Sequence, residues 1–221
     1  MNIYDAHAPE EFAAYALPRA AGIVRLSPST LRLWAAGNGR HKALFKPAER
    51  SPLTLSFSNL IEAFVLASIR RVHGVSMQGV RKVLKFVGDE LGYVRPLIYA
   101  NFRTDGVNLF VQNATRLPDV SAKSQAVLRE VLDASLERID WEGNLAVRLY
   151  PWVRGSGIGS QPKTIVVDPR RGFGQPVITG TGIEARIVTE RYRAGESVRF
   201  LAKDYSVEIE KIEDAVSTLS Q

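Results

Sequence analysis

The sequence predicts a mainly helical α+β protein built from three units. Several stretches repeat apolar residues at the spacing of an amphipathic helix, and shorter ones alternate apolar and polar residues as half-buried strands do. A run rich in glycine and serine, residues 154–163, separates the last unit from the rest. We therefore expect a winged helix-turn-helix domain in residues 1–95, a small α+β unit in 96–153 and a three-helix, helix-turn-helix-like domain in 164–221.

The composition is that of an ordinary globular protein. Of 221 residues, 45% are hydrophobic and 24% are charged, and no apolar run approaches the roughly 18 residues that cross a bilayer. The absence of cysteine excludes disulfides, thiolate metal sites and thiol nucleophiles. The first residues are acidic and lack the basic segment and apolar core of a signal peptide, so we expect a cytoplasmic protein with no membrane anchor.

Residues 17–37 predict a helix-turn-helix. A first helix would close at Gly22, and Ser27 followed by Pro28 is typical of the start of a second helix. The apolar stripe of that second helix consists of Leu31, Trp34 and Ala35. This stripe turns Arg32 outward. The residues fit either a helix that enters the major groove of DNA or a helical hairpin that only packs.

The positive charge of the chain is concentrated in this first unit. Residues 1–95 hold 13 lysines and arginines against 7 acidic residues, a net charge of +6. Residues 96–153 hold 6 against 7, and residues 154–221 hold 10 against 9. A local excess of this kind attracts phosphates and makes binding depend on salt, although solvated basic faces are common in proteins.

Two short alternating runs predict a β-hairpin after the second helix. The first run lies at residues 43–45 and the second at residues 53–57, on either side of a polar loop at residues 47–52. A hairpin in this place is a wing, with Lys46 and Arg50 near its tip. The candidate DNA-contacting residues of this region are Arg25, Ser29, Thr30, Arg32, Lys42, Lys46 and Arg50.

Two amphipathic helices follow the hairpin. The first would be capped by Ser58 or Asn59 and end at Gly74, and the second would run from Ser76 to Gly92. Several basic residues lie mainly outside the apolar stripes of these helices, as on a solvated face. They are Arg70, Arg71, Arg81, Lys82 and Lys85.

These elements resemble the winged-helix DNA-binding domain of the MerR superfamily over residues 15–92. The resemblance rests on the run S-P-S-T-L-R-L-W, the hairpin, and the later run G-V-S-M-Q-G-V-R-K-V-L. It implies binding to double-stranded operator DNA as a homodimer, because such proteins match palindromic half-sites. The aromatic and arginine residues that the family pairs around its wing are only loosely reproduced here.

Residues 96–153 predict a small α+β unit without excess charge. Strands are expected on either side of a turn at residues 104–106, followed by a helix capped by Ser121 and a hairpin at residues 139–149. In MerR-like proteins, this position often holds a dimerisation or effector element. Three aromatic residues either line a pocket or belong to the core: Trp141, Tyr150 and Trp152.

The last unit begins after the glycine- and serine-rich linker. Its G-S-G-I-G-S run precedes a strand, whereas a phosphate-binding loop follows a strand and opens a helix, so we interpret the run as a linker. Residues 164–167 predict the strand. Three short helices follow, the second and third of which Ser197 and Ser206 would cap.

This last stretch closely resembles the domain-of-unknown-function family 433. The resemblance rests on Asp168-Pro169 after the strand, G-Q-P-V-I-T-G-T at residues 174–181 and A-G-E-S at residues 194–197. The chain departs from the family at residues 182–184, where an arginine commonly follows G-T. Family members accompany PIN-domain ribonuclease toxins, so the whole chain resembles a VapB-type antitoxin of a toxin–antitoxin operon.

The resemblance also implies how a toxin would be inhibited. PIN nucleases hold a divalent metal with clustered carboxylates, with which an arginine guanidinium pairs in a bidentate manner. Residues 154–203 hold 9 basic against 4 acidic residues, and residues 204–221 hold 1 against 5. The basic part therefore meets an acidic partner, balances the acidic tail or contacts DNA as a second reading head. The candidate toxin-binding residues are Arg170, Arg171, Arg186, Arg191, Arg193 and Arg199.

The favoured function is a DNA-binding antitoxin that neutralises a PIN-domain ribonuclease and autoregulates its operon. The alternative is a stand-alone MerR-like regulator whose middle unit binds a small molecule. An enzyme has little support, because His7, His41 and His73 lack ligand spacing and neither a G-x-S-x-G motif nor a Walker loop occurs. We expect no catalytic residue, metal or cofactor. The acidic pairs fit a solvated helix face: Glu208 with Glu210, and Glu213 with Asp214.

Overall fold

The computed structural model describes residues 8–39, 41–114, 121–153 and 161–219, which form the predicted mainly helical α+β fold. The helices are α1 Leu17–Val24, α2 Pro28–Ala36, α3 Phe57–Arg70, α4 Met77–Leu91, α5 Val107–Ala114, α6 Ala122–Leu136, α7 Ala185–Arg193, α8 Val198–Tyr205 and α9 Ile209–Leu219. The strands are β1 Tyr15–Ala16, β2 Glu49–Arg50, β3 Leu53–Leu55, β4 Ile139–Glu142, β5 Leu145–Leu149, β6 Ile165–Val166 and β7 Val177–Ile178. The G-S-G-I-G-S run of the predicted linker lies outside the described residues.

Helices α1 and α2 are joined by a connection of three residues. Ser27 Oγ accepts a hydrogen bond from the Thr30 backbone N–H (3.3 Å) and caps α2, as predicted. The predicted end of α1 at Gly22 is wrong. The helix continues to Val24 because Arg25 takes a left-handed backbone conformation (φ 54°) and ends it without a glycine. The predicted apolar stripe of α2 is buried: Leu31, Trp34 and Ala35.

A three-stranded antiparallel sheet, in the order β1-β3-β2, lies beside these helices. The predicted hairpin is present, but its first strand is β2 and not residues 43–45. That segment instead closes the end of α2, because the Leu44 N–H donates to the Trp34 carbonyl (2.7 Å). Phe57, predicted as a strand residue, is the first residue of α3.

Helix α3 forms the centre of the core, and nearly all of its residues are buried. Its cap is Ser56, whose hydroxyl accepts from the Asn59 N–H (3.2 Å) while the Asn59 side chain accepts from the Ser56 N–H (3.2 Å). The predicted caps, Ser58 and Asn59, are wrong because both lie inside the helix. The following helix, α4, is capped by Ser76 as predicted.

The middle unit contains a helix where strands were expected. Residues Phe102–Gly106 form one π-helical turn that continues into α5, so the predicted turn at residues 104–106 is wrong. Phe102 and Phe110 are fully buried with their rings edge to face, 6.2 Å between centroids. Periodicity in a short apolar run does not separate a buried helix from a strand. Helix α6, capped by Ser121, and the β4–β5 hairpin agree with the prediction.

In the last unit, β6 pairs with β7 and helices α7 to α9 follow. Ser197 caps α8 as predicted, but Ser206 does not cap α9. It takes a left-handed conformation (φ 54°) and ends α8. Asp214, expected on a solvated face, is buried and accepts a hydrogen bond from Thr164 Oγ1 (2.6 Å).

The buried side chains of the described residues form two hydrophobic clusters. The larger one contains residues from Tyr15 to Trp152 together with Val167, so it is continuous across residues 95 and 96, the predicted boundary between the first two units. Trp152 stacks on Phe64 (5.7 Å between centroids) inside this cluster and is a core residue. The smaller cluster is built mainly from α7, α8 and α9.

Arg138 connects the middle unit to the last one. Its side chain is buried and lies over the ring of Trp152, 4.8 Å from the centroid. The guanidinium donates to four backbone carbonyls at 2.6 to 3.0 Å, two before residue 154 and two after residue 160: Tyr150, Pro151, Gln161 and Pro162. Burial lowers the pKa of Arg138 to about 10, so the group is charged at neutral pH and the carbonyl dipoles compensate its charge.

Replacing Arg138 with methionine keeps much of the side-chain length but removes every donor. We expect Arg138→Met to lower the free energy of unfolding by about 3 kcal/mol, because four carbonyls lose a charged partner. Urea unfolding measures the change. The exposed Arg103 is the matched control, and Arg103→Met should change the value by less than about 0.5 kcal/mol. Equal effects of the two substitutions would contradict the assigned role of Arg138.

Candidate functional site

Helix α2 presents a polar outer face. The buried stripe on its inner side leaves Ser29 and Arg32 exposed, as predicted, while Thr30 is half-buried. Thr30 Oγ1 accepts a hydrogen bond from the Ser27 hydroxyl (2.9 Å) and so continues the network that begins the helix. The outer face of α2 therefore carries hydroxyl groups and one outward-pointing guanidinium, next to the capped start of the helix.

A groove of about 310 Å³ lies beside this face and is rimmed by basic side chains. The Arg70 guanidinium donates to Thr30 Oγ1 (3.1 Å) and lies 5.9 Å from the centre of the Trp34 ring. The Arg81 guanidinium donates to the Lys42 carbonyl. The lining residues include Thr30, Trp34, His41, Lys42, Arg70 and Arg81. Basic groups from α3 and α4 therefore join the predicted residues Thr30 and Lys42.

Sequence reasoning assigned Arg70 and Arg81 to a solvated face. Each lies about 40 residues from its partner in the sequence, and helical periodicity only places a residue on its own helix. A contact of this kind depends on how α2 and the ends of α3 and α4 pack. No local pattern in the sequence indicates it.

The hairpin residues Lys46 and Arg50 are both exposed. Arg50 ends β2, directly before the turn. The Lys46 carbonyl accepts a hydrogen bond from the Asn59 side chain (2.9 Å), and the same side chain accepts from the Ala48 N–H (2.9 Å). Asn59 at the start of α3 thus fixes the segment that carries Lys46.

Arg25 has a different environment from the other candidate DNA-contacting residues. Its guanidinium donates to the carbonyls of Val153 (2.9 Å) and Ser217 (3.2 Å), so it connects the α1–α2 turn to the last helix. Burial lowers the pKa of Arg25, and the nearby charge of Arg71 lowers it further. The structure therefore uses this guanidinium in an internal contact.

Two of the candidate toxin-binding arginines pair with carboxylates on other elements of the chain. Arg170 donates to Glu10 (2.9 Å) and to Glu142, which attaches the turn after β6 to the rest of the chain. Arg191 pairs with Glu196 (2.5 Å) and Asp204 (2.6 Å). Hydrogen bonding to Arg191 lowers the pKa of Glu196. Both guanidinia already have carboxylate partners within the chain.

The remaining candidate arginines are exposed. Arg186 pairs with Glu190 one helical turn away (2.8 Å), which is a contact at the surface of α7. Arg171 is 80% exposed, and its Nε lies 3.9 Å from Asp168. Arg193 and Arg199 are exposed at the end of α7 and the start of α8.

A second cleft, of about 300 Å³, lies between α1 and α7. Its lining residues include Arg19, Gly22, Pro176, Arg186, Glu190 and Arg193. Burial lowers the pKa of Arg19; the carboxylate of Glu184 opposes this and the charge of Arg186 adds to it. The structure thus brings two candidate arginines of the last unit next to a helix of the first.

Among residues 8–39, 41–114, 121–153 and 161–219, no three side chains of the His, Cys, Asp and Glu types lie close enough together to hold a metal ion. None of the helices described is long and apolar enough to cross a membrane.

The chain is similar to known proteins, both in its last unit and over nearly its whole length. Residues 165–217 match the family model described as "Protein of unknown function (DUF433)". The chain is 29% identical over 231 residues to a Mycobacterium tuberculosis protein named "Putative antitoxin VapB45", and the alignment covers 93% of each chain. Its fold is similar to the crystal structure of Rv2018 from Mycobacterium tuberculosis, with a TM-score of 0.69 and 26% identity over 93% of this chain and 98% of that one. The similarity to the VapB45 protein therefore extends over nearly the whole length of this chain.

Proposed function

We propose that this protein is the antitoxin of a toxin–antitoxin pair. The observation that carries the proposal is the alignment with the VapB45 protein, which covers 93% of both chains and therefore includes the N-terminal helices as well as the last unit. The match of residues 165–217 to the DUF433 model supports the same assignment. In this proposal the protein is not an enzyme, and it acts in the cytoplasm on a protein and a DNA partner.

The proposed DNA contact is the outer face of α2, in a MerR-like winged helix-turn-helix. Ser29 and Arg32 are exposed there, Lys42, Lys46 and Arg50 extend the basic surface, and the net charge of residues 1–95 is +6. Such an excess favours the phosphate backbone, whereas hydroxyl and guanidinium groups on a short helix suit base edges in the major groove. A homodimer would place two such helices on a palindromic operator.

The proposed protein partner is a PIN-domain ribonuclease. Its metal-binding carboxylates would attract the basic last unit, on which Arg171, Arg193 and Arg199 are exposed. Arg170 and Arg191 pair with carboxylates on other elements of the chain. Arg186 forms an ion pair with Glu190 at the surface. Inhibition would then consist of neutralising the carboxylates and covering the nuclease site.

Co-expression with the adjacent gene tests the proposal. We expect the tagged full-length chain to purify with the neighbouring gene product in a stable complex, because an antitoxin binds its toxin tightly. If the purified chain binds DNA but retains no product of the adjacent gene, a stand-alone regulator explains the protein better. The basic groove beside α2 is compatible with that alternative.

Arg32→Ala should weaken binding to the operator and reduce the slope of log affinity against log salt by about 1, if the guanidinium contacts one phosphate. Fluorescence anisotropy over a salt titration measures both quantities. Arg103→Ala removes an equally exposed guanidinium from the middle unit and should leave the slope unchanged. Unchanged affinity and slope in Arg32→Ala would contradict the role of α2 as the recognition helix.

A further inference from the structure

A fully exposed aromatic side chain lies at the tip of the turn between β6 and β7. Phe173 is 93% exposed, the largest exposure among the aromatic residues described. It lies between two glycines, and all three residues have positive φ: 53° at Gly172, 53° at Phe173 and 70° at Gly174. Residues other than glycine, asparagine and aspartate rarely adopt this conformation. A Cβ crowds the backbone there, and the short polar side chains of asparagine and aspartate compensate by local hydrogen bonds.

The backbone of this tip is held by contacts with other elements. The Gly174 N–H donates to the Arg171 carbonyl (3.0 Å), and Arg170 pairs with Glu10 (2.9 Å) near the N-terminus. Gly174 packs directly on the buried Tyr15 of β1, where a Cβ would overlap the tyrosine hydroxyl. The backbone of the turn is therefore held by its contacts with the rest of the protein, while the Phe173 ring points into solvent.

An ordered backbone that exposes an aromatic ring is suited to binding another protein. Aromatic and arginine side chains supply most of the binding energy at protein interfaces, and a preorganised loop loses little entropy on binding. Arg171, two residues before Phe173, is 80% exposed. The tip thus presents an apolar anchor and a guanidinium side by side.

The net charge of the last unit indicates what kind of protein would bind the turn that carries Phe173. Residues 161–203 hold 8 lysines and arginines against 4 acidic residues. This surface would attract an acidic protein more strongly than a second copy of this chain, whose net charge is +6. The surface therefore favours a different, acidic protein.

We propose that Phe173 inserts into an apolar pocket of the toxin and that Arg171 pairs with a carboxylate at the rim of that pocket. The inference rests on the proposed function and adds the residue that anchors the complex. In this inference the tip contributes to the affinity for the toxin, and this contribution is separate from that of any arginine that enters the nuclease site.

The test uses the full-length chain and the purified product of the adjacent gene in isothermal titration calorimetry. Phe173→Asn removes the ring, and asparagine tolerates left-handed backbone, so the melting temperature should stay at or above that of the wild type. We expect the affinity to fall by at least about tenfold, as for an interface anchor. Phe86, another exposed phenylalanine but on α4, is the control, and Phe86→Ala should bind within about twofold of the wild type.

Each outcome decides a separate point. If the wild type binds and Phe173→Asn binds equally well, the anchor is overturned while the proposed function stands. If the wild type does not bind, the proposed function fails and the anchor fails with it. If Phe173→Asn instead abolishes self-association in sedimentation and leaves toxin affinity unchanged, the occupant is a second copy and the inference is wrong.

Discussion

The fold depends on a buried guanidinium that is satisfied by backbone carbonyls. Arg138 donates to carbonyls on both sides of residues 154–160 and lies against the Trp152 ring. A buried charge is costly unless its donors are paired, so the chain segments that supply these carbonyls are held to one arrangement. These hydrogen bonds fix the position of the first residues of the last unit against the middle unit. Val167 of the last unit also lies in the larger hydrophobic cluster.

Two other arginines strengthen the same connection. Arg25 joins the turn between α1 and α2 to the end of α9, and Arg170 joins the turn after β6 to Glu10 and Glu142. The chain thus uses part of its positive charge for internal contacts and leaves the rest at the surface. The partners of Arg138 and Arg25 are backbone carbonyls, and those of Arg170 are carboxylates.

An element of the fold can be predicted from the sequence where the interaction that determines it is local. A serine that caps a helix acts on an N–H three residues later, so the caps at Ser27, Ser76, Ser121 and Ser197 were predictable, as was the β4–β5 hairpin. Sequence alone does not decide where packing does: a short apolar run suits both a strand and a helix, and residues 107–111 belong to α5 instead of the predicted strand. The internal role of candidate residue Arg25 depends on a contact 192 residues away. No periodicity in the sequence indicates such a contact.

The separation of internal from surface arginines matters for the proposed function, because only the surface groups can reach a nuclease. The most direct test is an RNA cleavage assay in which the purified full-length chain is titrated against the product of the adjacent gene. The account predicts that cleavage stops at a fixed stoichiometric ratio and returns when the chain is selectively removed. The account would be contradicted if the chain and the product of the adjacent gene form a complex at saturating amounts of the chain and RNA cleavage nevertheless continues unchanged.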